Sequence, residues 1–226
     1  MKKILLSATI LCIFAVNLSA GTITGTVKAR GRPEAKEDID AGKYESTKYK
    51  FLERINYDEL SDFVVYIDQP VAGARSAPVE PVEVVIQKNA TFKPHVVPVM
   101  VGTTVEWPNH DDIYHNVFSI SDPKPFDLGF YKQNEIKRVV FDKPGRVDVF
   151  CSIHKKMSCI VLVLTNPFFA ATDKNGKYEI RNVPAGTYRL RAWDERLPSQ
   201  VRDVTVTETG QTVVDFILSV TGLPKY

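Results

Sequence analysis

Cysteine, methionine, histidine and tryptophan are all scarce in this chain of 226 residues, at three, three, four and two copies. So few methionines argue against a thioether-rich surface that collects several soft metal ions. After the N-terminus no run approaches the roughly 18 apolar residues that a spanning helix needs, so no membrane span is expected. An excess of one charge is lacking too. The formal net charge is +2, and it falls to 0 once Lys2 and Lys3 are removed, which argues against a polyanion such as nucleic acid as partner. Low-complexity tracts and long repeats are absent.

What is present begins with a leader. Met1-Lys-Lys is a positive n-region, Ile4 to Val16 an apolar h-region and Leu18-Ser-Ala20 a cleavage end, the pattern of a secretory signal peptide over residues 1–20. Cys12 has no small residues just before it, so a lipid anchor is not expected. The mature chain is expected to begin near Gly21 and to be periplasmic or otherwise exported. Its two remaining cysteines are Cys151 and Cys159. In an oxidising compartment they could pair as a disulfide. Alternatively Cys151 is a free thiolate ligand and Cys159, inside an apolar run, a small core residue.

The densest chemistry lies in Cys151-Ser-Ile-His154-Lys-Lys-Met157, with His115 standing 36 residues before Cys151. A thiolate and two imidazoles in a plane, with a weak axial thioether, form a site for one copper ion: soft sulfur suits Cu(I), and imidazole suits both oxidation states. Three of the four ligands share one short loop, so little chain must be ordered to assemble them. The flanks favour this reading. Lys143-Pro-Gly-Arg predicts a turn, Val147 and Val149 a strand that delivers Cys151, and Ser158 to Leu164 the strand that leaves. Upstream, Gly102 to Trp107 alternates as a half-buried strand does, Pro108 to Asp112 is turn chemistry, and His115 opens a strand over Val117 to Ile120.

These motifs, G-T-x-V-x-W-x-N at 102–109, H-N-V-F at 115–118 and G-x-x-x-V-x-C-x-x-H-x-x-M at 145–157, resemble those of the cupredoxins. The short gap between His154 and Met157 is most similar to amicyanin. The resemblance implies a Greek-key β-sandwich over residues 75–166 with His115, Cys151, His154 and Met157 as copper ligands. It also implies that Asn116 ties the two ligand-bearing loops together, a bond that would fix ligand orientation. His95, in a proline-bounded apolar stretch, and His110, in a turn, are not assigned to copper. Asp111 and Asp112 read as solvated turn charges.

A second all-β pattern surrounds the first. Thr172-Asp-Lys-Asn-Gly176-Lys-Tyr-Glu-Ile180, then Val183-Pro-Ala-Gly186-Thr-Tyr-Arg-Leu190, place turns before alternating strands, and Val201 to Leu218 holds two further strand-like runs. These residues, with Gly21-Thr-Ile-Thr-Gly-Thr-Val27 at the mature N-terminus, resemble the carboxypeptidase regulatory-like, transthyretin-like β-sandwich. Asp62 to Ile67 is similar to its second strand. The expected organisation is therefore a split sandwich, 21–74 and 167–226, with the copper domain inserted. Within its first part the charged stretch 30–60 departs from the family. There Tyr44, Lys48, Phe51, Leu52 and Ile55 could line one helical face.

The expected function is transfer of single electrons between redox proteins of the cell envelope, with one type 1 copper per chain and no enzymatic activity. The chain lacks the further histidine clusters that a second, catalytic copper would need. The alternative is an envelope interaction or copper-buffering protein with a structural copper. Electrons are expected to pass through His154, within an apolar patch of Ile153, Pro108 and Pro94 flanked by Lys155 and Lys156.

Overall fold

The computed structural model describes residues 20–31, 56–75, 78 and 82–220. The leader and the expected helical face from Tyr44 to Ile55 lie outside the described residues. Apart from one 3-10 turn at Tyr57–Glu59, every described element is a strand, as the all-β reading requires.

The chain enters through β1 (Ala20–Arg30) and β2 (Val64–Ile67). Ten strands follow: β3 (Val82–Val84), β4 (Ile86–Lys88), β5 (Thr91–Lys93), β6 (Val96–Met100), β7 (Thr103–Pro108), β8 (His115–Ser119), β9 (Phe126–Tyr131), β10 (Ile136–Phe141), β11 (Gly145–Phe150) and β12 (Ser158–Leu164). The last six are β13 (Phe169–Ala171), β14 (Lys177–Pro184), β15 (Gly186–Trp193), β16 (Gln200–Val206), β17 (Gln211–Val213) and β18 (Phe216–Ser219).

β1 lies between β14 on one side and β17 and β18 on the other, while β2 lies between β13 and β15, with β16 beyond. Alternation sets the inner face: Tyr178 and Ile180 of β14 and Tyr188, Leu190 and Ala192 of β15 point inward to meet Ile23, Val27, Ile67 and Phe216. The predicted turn at Asp173 closes as expected. Asp173 Oδ1 accepts from the amides of Asn175 and Lys177, and Gly176 sits at φ 75°, where a Cβ would collide with the carbonyl oxygen of Val27.

Residues 201–218 form three strands rather than the expected two. At Asp215 the backbone ladder is interrupted without a change of register, because that carboxylate accepts from both Thr26 N and Thr26 Oγ1. β17 and β18 therefore pair with successive stretches of β1 as separate strands.

The middle strands build a five-stranded sheet, β6-β12-β11-β8-β9, facing a three-stranded sheet, β10-β7-β3, with the β4-β5 hairpin beside them. Trp107, Tyr131, Phe141, Val149, Cys159 and Val161 fill the space between. Pro98 falls in β6, which is tolerated because β6 is an edge strand. The outer face of β6 and β12 is not left in water. Val96, Ile160, Leu162 and Leu164 pack against Val64, Tyr66, Phe169 and Trp193 of the other sandwich, giving a third apolar cluster between the two.

Candidate metal centre

Both ligand-bearing segments leave strands at the same end of the middle sandwich. β11 ends at Phe150, delivers Cys151, and the loop returns at Met157 into β12. Two backbone bonds tighten that loop, Met157 N to His154 O at 2.8 Å and Cys151 N to Met157 O at 3.1 Å. β7 of the facing sheet ends at Pro108, and the chain then crosses to β8, the neighbour of β11, whose first residue is His115.

Nδ1 of His115 lies 3.1 Å from Nδ1 of His154, and Cys151 Sγ lies 3.9 Å from the former and 3.6 Å from the latter. A triangle with those sides has its circumcentre about 2.1 Å from each corner, within the span of metal–imidazole and metal–thiolate bonds, about 2.0–2.3 Å. The three residues thus fit one ion of the kind their chemistry suits. His115 and Cys151 are buried and His154 is half-buried. Met157 is buried in the same cluster as Cys151. Both cysteines are free thiols, so no disulfide consumes Cys151. Burial pushes the Cys159 thiol well above its ordinary pKa, as suits an inert core residue.

Asn116 reaches across to the other loop. Its Oδ1 accepts from the Ser152 amide at 3.3 Å, and its Nδ2 donates to Asp127 at 2.6 Å. Asp111 corrects the reading of a solvated charge: its Oδ2 accepts a 2.8 Å bond from Nε2 of His115. Burial would raise its pKa, but the amides of Ala90 and Asn89 and the His115 ring outweigh this and hold the carboxyl below its ordinary value. A neutral His115 that donates from Nε2 to this carboxylate presents a bare Nδ1 towards Cys151 and His154. Asp112 is exposed, as expected.

Two further residues went unread in the sequence. Asn109, fully buried, donates to Ile113 O and Tyr131 O and accepts from Asp111 N, holding the loop that carries Asp111. Gln87, also fully buried, donates to Trp107 O and to the Tyr131 hydroxyl behind the site. The Asn-x-Asp spacing before a histidine four residues on was the available signal for the first. Nothing local marked the second.

His110 is exposed and takes no part. His95 lies between the two sandwiches. Pro108 is buried, which corrects its expected place in a surface patch: β7 runs through it and pairs it with Ile136. Ile153 and Pro94 are exposed, as are Ile113 and Tyr114 just before His115.

No helix among the described residues is long and apolar enough to cross a membrane. No curated protein matches the chain. Residues 161–219 match the family model of the carboxypeptidase regulatory-like domain. Among solved structures, a Cu-containing nitrite reductase from Thermus scotoductus SA-01 is 36% identical over 42% of this chain, with a TM-score of 0.36. The chain spans only 25% of that reductase. A purple cupredoxin from Nitrosopumilus maritimus is 25% identical over 38% of this chain and all of its own, with a TM-score of 0.33. A point mutant of amicyanin, in its Cu(I) form, is 20% identical over 44% of this chain and 98% of its own, with a TM-score of 0.35. The chain is thus similar in one part to carboxypeptidase regulatory-like domains and in another to cupredoxins.

Proposed function

We propose that this is an exported, periplasmic type 1 copper protein that binds one copper per chain and passes single electrons between redox proteins of the cell envelope. The observation that carries the reading is the triangle of two imidazole nitrogens and one thiol sulfur whose centre lies at bonding distance from all three. His115, Cys151 and His154 would hold the metal, with the Met157 thioether as a further weak donor. Bound there, copper would supply a one-electron couple.

The chain's own residues do the rest. Asp111 and Asn116 hold His115 and the Cys151 loop in place before any metal arrives, so little need move when the charge of the site changes. Burial of His115 and Cys151 excludes water from one side. His154, half-buried, lies on the side nearest solvent, with Ile153, Ile113 and Tyr114 as apolar surface and Lys155 and Lys156 as a basic rim that suits an acidic partner.

Copper-loaded protein should absorb strongly in the visible, through charge transfer from Cys151 Sγ, and give a reversible voltammogram. Cys151→Ser should remove the band while far-ultraviolet circular dichroism is kept. Full colour in that variant eliminates this ligand set, and an irreversible couple in the wild type favours copper buffering over electron transfer.

A further inference from the structure

One polar chain connects the regulatory-like sandwich to the ligand loop. His95 precedes β6, and its Nδ1 is 3.1 Å from the carbonyl of Ser158, the residue directly after Met157. Its Nε2 is 3.1 Å from Glu195 Oε1, in the loop that follows β15. A carbonyl and a carboxylate only accept, so both ring nitrogens carry protons and donate. The backbone clamps the same place, with Ile160 N donating to His95 O at 2.8 Å.

Glu195 is itself held firmly. Buried Asp194 accepts from the amides of Arg196 and Leu197, Leu197 is anchored in the core of the regulatory-like sandwich, and Arg196 Nε donates to the Glu195 oxygen that meets His95. Val96 and Ile160, beside His95 and Ser158, are buried in the cluster between the sandwiches. From Ser158 the path continues through Met157, whose carbonyl accepts the Cys151 amide.

We propose that Glu195 and His95 are positioning residues through which the regulatory-like sandwich holds the closing end of the metal-ligand loop, so that the second domain sets the geometry at Cys151 and Met157. The inference rests on the copper reading for its spectral consequences, but not for the order it imposes on the loop.

The test uses full-length protein carrying Glu195→Ala, His95→Gln, both together, or Glu195→Gln, which keeps an oxygen and an amide within reach of the ring. In copper-free protein the Cys151 thiol should react with an aromatic disulfide about fivefold faster in the first two variants, the factor expected when one hydrogen bond's worth of local order is lost. Cleavage at Lys155 and Lys156 separates Cys151 from Cys159 for mass spectrometry. The double variant should react no faster than either single one, and Glu195→Gln should stay near the wild type.

With copper bound, the same two variants should shift the visible spectrum and the reduction potential together. A lowered melting midpoint with unchanged thiol reactivity, spectrum and potential would show a purely structural latch and overturn the proposal. Wild-type protein that takes no copper would defeat the copper reading alone, with thiol reactivity still deciding this one.

Discussion

The two sandwiches differ less in their strands than in where they bury polar side chains. The regulatory-like core of Ile23, Val27, Ile67, Leu190 and Phe216 is apolar, with Asn166 and Asp194 buried at its margins to hold turns. The middle sandwich buries Gln87, Asn109, His115 and Asn116 towards one end, with Thr103 and Ser119 buried at the far ends of β7 and β8. Asn109, His115 and Asn116 bond within or between the loops at that end, while Gln87 donates to Trp107 O and the Tyr131 hydroxyl and leaves its own Oε1 without a partner among the described residues. Buried polar groups are tolerable when their bonds are made. Here they confer order on loops that strands alone would leave loose.

The largest test of this contrast concerns folding. The regulatory-like sheets have β1 and β2 in their interiors, so residues 168–226 alone should show no cooperative urea transition. A chain with residues 75–166 replaced by a short flexible linker keeps both strands and should unfold cooperatively. Equal cooperativity in the isolated fragment would contradict a sandwich shared between the two segments.

A point change at the polar end should act on chemistry more than on folding. Met157→Leu preserves apolar volume and is expected to keep copper while raising the reduction potential, since it deletes a donor that favours the oxidised ion. An unchanged potential puts Met157 outside the coordination sphere, and complete loss of metal makes the thioether a structural requirement.

The contact between the sandwiches should give a pH signature of smaller size. The bond to Glu195 raises the His95 pKa, and the bond to His95 lowers that of Glu195 to about 2. Asp62 and Arg196 also act on this pair. The His95 contribution is complete below its unfolded pKa of about 6.5 and is lost as pH rises through the raised folded value. The Glu195 contribution is complete above its unfolded value, 4.5, and is lost as pH falls towards 2. Copper-free wild type should therefore exceed Glu195→Ala in urea midpoint most between about pH 5 and 6, with the gap closing in alkali. A gap that does not vary with pH would rule out the charged pair.

The smallest effect is expected at the rim. Reversing Lys155 and Lys156 to Glu should slow electron exchange with an acidic partner at low ionic strength and leave colour and potential nearly unchanged. Exchange that is indifferent to both charge and salt would move the docking surface elsewhere.

The ligand loop was legible because its cues are local: a turn, an alternating strand ending at Cys151, and a second strand from Ser158. Asp111 was not, because what holds it beside His115 is a pair of amides from Asn89 and Ala90, at the tip of the β4-β5 hairpin. Pro108 misled for the opposite reason. Its type suggests an exposed turn, but pairing with β10 carries the strand through it. The split of residues 201–218 depended on Thr26, 189 residues before Asp215, and no local pattern encodes a contact that distant.

That same distance governs how the molecule is made. β1 is the first described strand to leave the ribosome, yet its partners β14, β17 and β18 are among the last. Contacts so far apart in sequence form slowly, and all of β3 to β12 lies between β1 and those partners, so the middle sandwich is expected to close from contiguous chain before β1 is paired. On that order the Cys151 to Met157 loop and the start of β8 are expected to take shape first, which pulsed hydrogen exchange during refolding would check. The regulatory-like sandwich would then close against a neighbour already built, with the His95–Glu195 contact among the last to form.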